Sequence, residues 1–365
     1  MNPLSALKYI RENKGKSLAL GIMLFLSTAA FALGNLVSSD EYTWEGCFDL
    51  SDKCMYISAR GSDEDGKDMD SFLEKIKSDK DLKLKPVGSR VGGISWKTPM
   101  GFEMGSSSFV FASKEAFLTM AKHMGIKGDL SKVKDNKSLI ISRRLADNLG
   151  IKLGDEVDSS MDGVSIRVPM TVDAVLPEDF YSIFYILEND NPYDYYVYSD
   201  TLEGDALRSR VVSYKGDLNV YANPDSDRVE IGRSMSGFRI VFIAITAIVG
   251  IVLAITANTV ITGQFISRTY EFGVYRAIGI GKGRIRLKIM SEILLLDIIS
   301  VAAGAGVIFL TEYLLNSVVM LPAGKYLVYF SGLGAAGFAG CNLLIIVPMI
   351  LLKSRQMLKA DVTAF

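Results

Sequence analysis

The stretch Gly61-Ser-Asp-Glu-Asp-Gly66-Lys67-Asp68 departs by one residue from the phosphate-binding loop G-x-x-x-x-G-K-[ST]. The departure matters. Asp68 stands where a hydroxyl would hold Mg²⁺, and its carboxylate repels phosphate. Three more acids crowd Lys67, and no buried strand is read before it, so a charged loop is expected. His123 is the sole histidine and is expected to be a surface or packing residue. No Ser–His–Asp or Cys–His arrangement can be built, so no catalytic residue, metal site or bound cofactor is expected in this chain. Cys47 and Cys54 form a candidate disulfide if their compartment is oxidising; two free thiols are the alternative. Cys341 lies in an apolar run and is read as a packing residue.

A richer pattern runs from Ser267 to Arg286. Tyr270, Glu271, Phe272, Gly273, Tyr275, Arg276, Ala277 and Gly279 mix aromatic, charged and small residues in a basic surround. Physical chemistry allows three uses: lying on anionic lipid, fixing topology, or docking a partner protein as a short helix.

These residues need elements to hold them. Mean hydropathy is +0.25 over 365 residues, with 49% hydrophobic, 22% charged and net charge −1. Disorder is excluded, and no global basic field points to nucleic acid. Apolar residues collect in blocks. Leu18–Val37 is an uncharged run of 20 residues, and Ile240–Gln264 one of 25. A third, about 289–316, carries Glu292, Asp297 and Glu312; a fourth, about 326–352, carries no charge. Each is long enough to cross ~30 Å of hydrocarbon as a helix. A basic flank and the small Ala30 and Ala32 also suit a cleaved signal, but the length of the first run and three later spans favour a retained helix.

Lysine and arginine set the orientation. Lys8, Arg11, Lys14 and Lys16 precede the first span; Arg268, Arg276, Lys282, Arg284, Arg286 and Lys288 lie between the second and third; Lys353, Arg355 and Lys359 follow the fourth. Only Lys325 lies between the third and fourth. Both termini and the basic loop are therefore expected in the cytoplasm. The expected order is a cytoplasmic amphipathic segment 1–17, helix 18–37, an extracytoplasmic domain 38–235, helix 238–264, a loop 265–288, helix 289–316, a short external loop 317–325, helix 326–352 and a cytoplasmic tail 353–365. The fold class is an α-helical transmembrane bundle of four helices in 1+3 order, with an α+β domain between helices one and two.

Residues 38–235 hold 35 acids and 25 bases, net −10, as suits a solvated outer domain. Helices are expected over 68–78, 114–124 and 143–149, the last closed by Gly150, and strands over 139–142 and 165–176. Tyr181, Tyr185, Tyr193, Tyr195 and Tyr196 crowd one stretch. Core or edge-strand packing explains them, and a partner surface is the alternative. In the spans, Gly332, Ala336 and Gly340, with Ala302 and Gly306, form small-residue stripes that suit close helix packing or dimerisation. Asp297 lies roughly 10 Å into its helix and is free to pair, line a cavity or meet water.

Glu271-Phe-Gly-x-x-Arg276-Ala-Ile-Gly279, the following basic residues and Ser291-Glu-Ile-Leu-Leu-Leu296 resemble the signature of FtsX/MacB-type permeases, the membrane subunits of type VII ABC transporters. The stretch 139–176 and the closing Lys359-Ala-Asp-Val-Thr-Ala-Phe365 are similar to that family too, although the family's proline is missing from the tail. The resemblance implies a bacterial inner-membrane, multi-pass permease that is not itself an enzyme. It implies a separate ABC-type ATPase partner carrying ATP and Mg, docked on the 270–279 loop with the tail as a second contact. It further implies a second permease copy, identical or paired, and an extracytoplasmic adaptor or hydrolase as a candidate partner. The implied action is mechanotransmission for export or extraction of a peptide, lipoprotein or antibiotic-like substrate. Regulation of a cell-wall hydrolase is the family's alternative, and a membrane-anchored receptor without ATPase the alternative outside it.

Overall fold

A break at Thr28 divides the first apolar run in the computed structural model, which describes residues 14–48, 50–58, 67–177, 180–189, 194–218, 220–222, 226–266 and 268–359. The elements in chain order are α1 (Lys14–Ser27), α2 (Ala29–Glu45), β1 (Cys54–Ser58), α3 (Lys67–Ser78), β2 (Lys83–Pro86), β3 (Gly92–Lys97), β4 (Glu103–Gly105) and β5 (Ser107–Phe111). They continue with α4 (Lys114–Met124), β6 (Ser138–Ser142), α5 (Arg143–Leu149), β7 (Glu156–Val157), β8 (Val164–Ile166), β9 (Met170–Leu176), β10 (Ser182–Ile186) and β11 (Asp194–Tyr198). The remainder are α6 (Gly204–Lys215), β12 (Tyr221–Ala222), α7 (Ser226–Ile266), α8 (Thr269–Ala277), α9 (Lys282–Leu315) and α10 (Gly332–Lys359). Residues 1–13, 59–66, Tyr193 and the last six residues are among those that lie outside the described part.

The chain forms two compact units. The helical unit comprises residues up to Ser38, Ser236–Leu315 and Leu327 onward. Four helical stretches are long and apolar enough to cross a membrane: Ser17–Glu45, Gly232–Gln264, Lys282–Ala323 and Gly332–Leu351. The break in the first arises from adjacent hydroxyls. Ser27 Oγ donates to the Leu24 carbonyl at 2.6 Å and Thr28 Oγ1 to that of Phe25 at 2.5 Å, which tightens the turn. The fourth helix starts later than its uncharged run. Ser331 caps it by accepting from Gly334 N–H at 2.9 Å, so residues 326–331 precede the helix rather than open it.

Each acid of α9 finds a partner on another element. Glu312 accepts from Asn35 Nδ2 at 3.1 and 3.3 Å; Asn35 Oδ1 in turn accepts from Ser331 N–H and Oγ at 3.0 and 2.9 Å. Asp297, whose role the sequence leaves open, accepts from Asn342 at 2.8 Å. Close backbone approach occurs at Gly34, where a Cβ would lie 2.3 Å from Gly334 Cα, and at Gly304, where it would lie 2.5 Å from Thr28 Oγ1. The stripes singled out from sequence do not make these contacts. Gly332, Ala336, Gly340, Ala302 and Gly306 are exposed, and no atom lies within 4 Å of a Cβ built at Gly332, Gly340 or Gly306. Gly34→Ala is therefore expected to cost about 1–3 kcal/mol by overpacking. Gly340→Ala should leave thermal unfolding of the monomer unchanged, and melting both variants in detergent checks the contrast.

The α+β unit comprises Ser39–Met235 with Asn316–Tyr326. Its sheets have orders β5-β10-β6-β9-β7, β12-β1-β11-β2 and β4-β3-β8. The expected helices appear as α3, α4 and α5. Ser113 Oγ caps α4 by accepting from Ala116 N–H, and α5 ends on Gly150 at φ 69°. The strand expected over 165–176 is two strands, β8 and β9, separated by Arg167–Pro169. A buried strand, β1, does precede the acidic 59–66 stretch, contrary to the sequence reading; the expected charged loop lies, up to Gly66, outside the described residues.

Burial corrects the reading of the tyrosines as a partner surface. Tyr181, Tyr185 and Tyr196 are core residues, Tyr195 is half-buried, and Trp96 stacks on Tyr181 with centroids 4.4 Å apart. The reason is topological: β10 and β11 are internal strands, covered on both sides. Cys47 and Cys54 are buried in different clusters and form no disulfide; burial pushes the Cys54 thiol up to about 12. His123 packs on Tyr198 and contacts the Lys53 carbonyl at 3.1 Å.

Candidate functional site

The basic turn between α7 and α9 folds as a helix of nine residues, α8, with a defined stop. Gly279 has φ 86°; its N–H donates to Arg276 O at 3.0 Å and that of Ile280 to Tyr275 O at 2.9 Å. This is the double bond of a Schellman motif, which needs a left-handed residue and so favours glycine here. Gly281 O accepts from Arg284 and Ile285 N–H, at 3.0 and 3.4 Å, and so starts α9.

One side of α8 is fastened down. Phe272 is 6% exposed and packs with Ile285, Ile289 and Ile293 of α9 in one cluster. Arg268 lies over its ring at 4.7 Å. The guanidinium donates to Glu292 at 2.7 and 3.3 Å and to Glu271 at 2.9 and 3.3 Å. Lys288 donates to Glu271 and to the Tyr275 hydroxyl, both at 3.1 Å, and Tyr275 donates to Glu271 at 2.8 Å. Two cations and two anions thus form a neutral, largely buried network. Such a set is tolerable only because nearly every lone pair and proton is matched.

Burial pushes the Glu271 carboxyl up, but Arg268, Tyr275 and Lys288 outweigh it and hold it at about 2, below the ordinary 4.5. A lowered value stabilises the fold above pH 4.5, and that contribution is lost as the pH falls towards 2. Glu271→Gln is expected to melt below wild type at pH 7. The gap should close on acidification, as thermal unfolding across this window would record.

The other side of α8 is open. Tyr270 is 77% exposed, Val274 41% and Ile278 66%, and Ala277 is exposed beside them. Their spacing of four, three and one places them on one helical face. Exposed Lys282, Arg284 and Arg286 follow at the start of α9. Of the residues singled out from sequence, Tyr270 and Ala277 belong to the open face and Gly279 to the stop. Glu271, Phe272 and Tyr275 belong to the fastened face, and Arg276 is half-buried. Glu271, half-buried, is bonded within the chain to Arg268, Tyr275 and Lys288. Arg268 and Lys288 count only as topology charges in the sequence, although Arg268 to Glu271 (three apart) and Lys288 to Glu292 (four apart) carry the spacing of helical ion pairs.

Residues 239–361 match the family model for the FtsX-like permease C-terminal region. That region is FtsX-like. It contains the whole clamped turn, α9, α10 and the part of α7 from residue 239 onward. The FtsX-like match and the apolar helices support a multi-pass membrane protein, an ABC-type permease subunit in general. The FtsX-like match is to about a third of the chain and leaves Ser39–Met235 outside it. No curated protein matches the chain.

Proposed function

We propose that this chain is the membrane subunit of a bacterial ABC system and that α8 is its seat for a separate ATPase. The observation that carries the reading is the two-sided character of α8. Its inner side is tied to α9 by a buried charge network, and its outer side presents Tyr270, Val274, Ala277 and Ile278 to solvent. A rigid anchor with an apolar, aromatic outer face is what force transfer between two proteins requires. The positive-inside distribution supports a cytoplasmic turn and cytoplasmic termini. ATP and Mg²⁺ then belong to the partner chain, and motion passes through α7 and α9 to the α+β unit outside. The outward small-residue stripes at Gly332, Ala336 and Gly340 and at Ala302 and Gly306 suit a second permease copy.

Gentle solubilisation from the native host, tag capture and mass spectrometry test the reading. A P-loop ATPase of the ABC type recovered at one-to-one supports it. Its absence under conditions that keep the permease folded sinks it.

A further inference from the structure

The α+β unit contains a cavity of about 760 Å³ where its three sheets meet. That is ample for a drug-sized ligand. Phe48, Met55, Met104 and Phe109 supply apolar wall, and methionine adapts to varied side chains. The polar groups are unusual. Asp194 lines the cavity at 8% exposure, and its Oδ1 is buried with no hydrogen-bond partner. A buried carboxylate without a cation is costly and is relieved by one that arrives with a ligand.

Arg90 and Arg167 also line the cavity, and among the described residues their side chains form no ion pair. They stand at the same end of the β3–β8 ladder, where Arg167 N–H donates to Val91 O at 2.8 Å. Arg208, the third lining arginine, is already neutralised by Asp52 at 2.7 Å and Asp205 at 2.9 Å. Among the described residues, the lining therefore offers one buried carboxylate and two exposed arginines that form no ion pair, together with apolar side chains.

The edge of β5 adds a backbone feature. Val110 uses its N–H on the Tyr196 hydroxyl and its C=O on Gly88, both away from β10. Strand alternation puts the N–H and C=O of Ser108, another lining residue, on that same side. An extended ligand can bond there as a short added strand.

We infer that this cavity binds a short apolar peptide with free ends, its ammonium at Asp194 and its carboxylate at Arg90 and Arg167. The inference deepens the permease reading, on which its role as cargo or signal rests. Its test needs no ATPase, so failure of binding and failure of ATPase capture are read apart.

The probe is a pool of tripeptides of leucine, phenylalanine and methionine with free termini. It is offered to the full chain in detergent, and retained peptides are quantified by mass spectrometry after rapid gel filtration. Wild type is expected to retain peptides, and N-acetylation of the pool or Asp194→Asn to cut retention at least about tenfold. C-terminal amidation, or Arg90→Ala with Arg167→Ala, should do the same. Asp194→Asn should melt no lower than wild type, since it removes an uncompensated charge, which separates lost binding from lost fold. Equal retention of free and acetylated pools overturns the inference. So does retention by wild type no greater than by Asp194→Asn, or a cavity filled by co-purifying phospholipid with no peptide held.

Discussion

Arg268→Met is expected to destabilise the helical unit by about 3–5 kcal/mol, the usual cost of stranding one member of a buried ion pair. Glu292, 3% exposed, loses its bidentate partner and keeps only Lys288 at 3.9 Å. Glu271 is less affected because Lys288 and Tyr275 still donate to it. Adding Glu292→Met should recover most of the loss, since removing both charges from an apolar site is close to neutral. Thermal unfolding of wild type, both single variants and the double variant gives the cycle. Additive losses would mean that Arg268 and Glu292 do not act as a pair. An interaction of several kcal/mol would establish the network as the anchor of α8.

Tyr270→Ala combined with Ile278→Ser should weaken ATPase capture by about thirtyfold or more while leaving the melting curve in place. Truncating a central aromatic anchor costs about 2 kcal/mol or more at protein interfaces, and both side chains are exposed in this chain. Phe272→Ala is the contrasting variant. Its ring is buried, so about 3–5 kcal/mol of stability is at stake and any loss of ATPase is secondary to a loosened turn. Full capture by the Tyr270/Ile278 variant would remove the outer face from the interface. Loss of capture without loss of stability would separate docking residues from anchoring residues along one nine-residue helix.

Much of the α+β unit was legible locally. Ser113 and Gly125 bracket α4, and Gly150 closes α5, because caps and left-handed glycines act over a few residues. The tyrosines were ambiguous for a physical reason. Alternation reports which residues share a face, not whether neighbouring strands and helices cover both faces, as they do around β10 and β11. The turn at 269–277 was legible as a short amphipathic helix, but not which face turns inward. That depends on Lys288 and Glu292, 17 and 24 residues beyond the groups they bind. Small-residue spacing likewise identified stripes at Gly332 and Ala302, whereas close packing uses Gly34, Gly304 and Gly334. Rotation of one span against its neighbour is not written in the spacing of either.

The partners of the α9 acids bear on how the chain is made. An aspartate at the centre of a nascent span opposes its insertion by about 2.5–3.5 kcal/mol. When α9 leaves the ribosome, Asn35 and Arg268 have already been synthesised, so Glu312 and Glu292 can be matched at once. Asp297 must wait for Asn342, 45 residues later. Until α10 arrives, the third span carries an exposed mark of incompleteness in the lipid. A chain stalled or clipped before Asn342 keeps that mark, which gives membrane quality control a physical basis for telling a finished copy from an unfinished one.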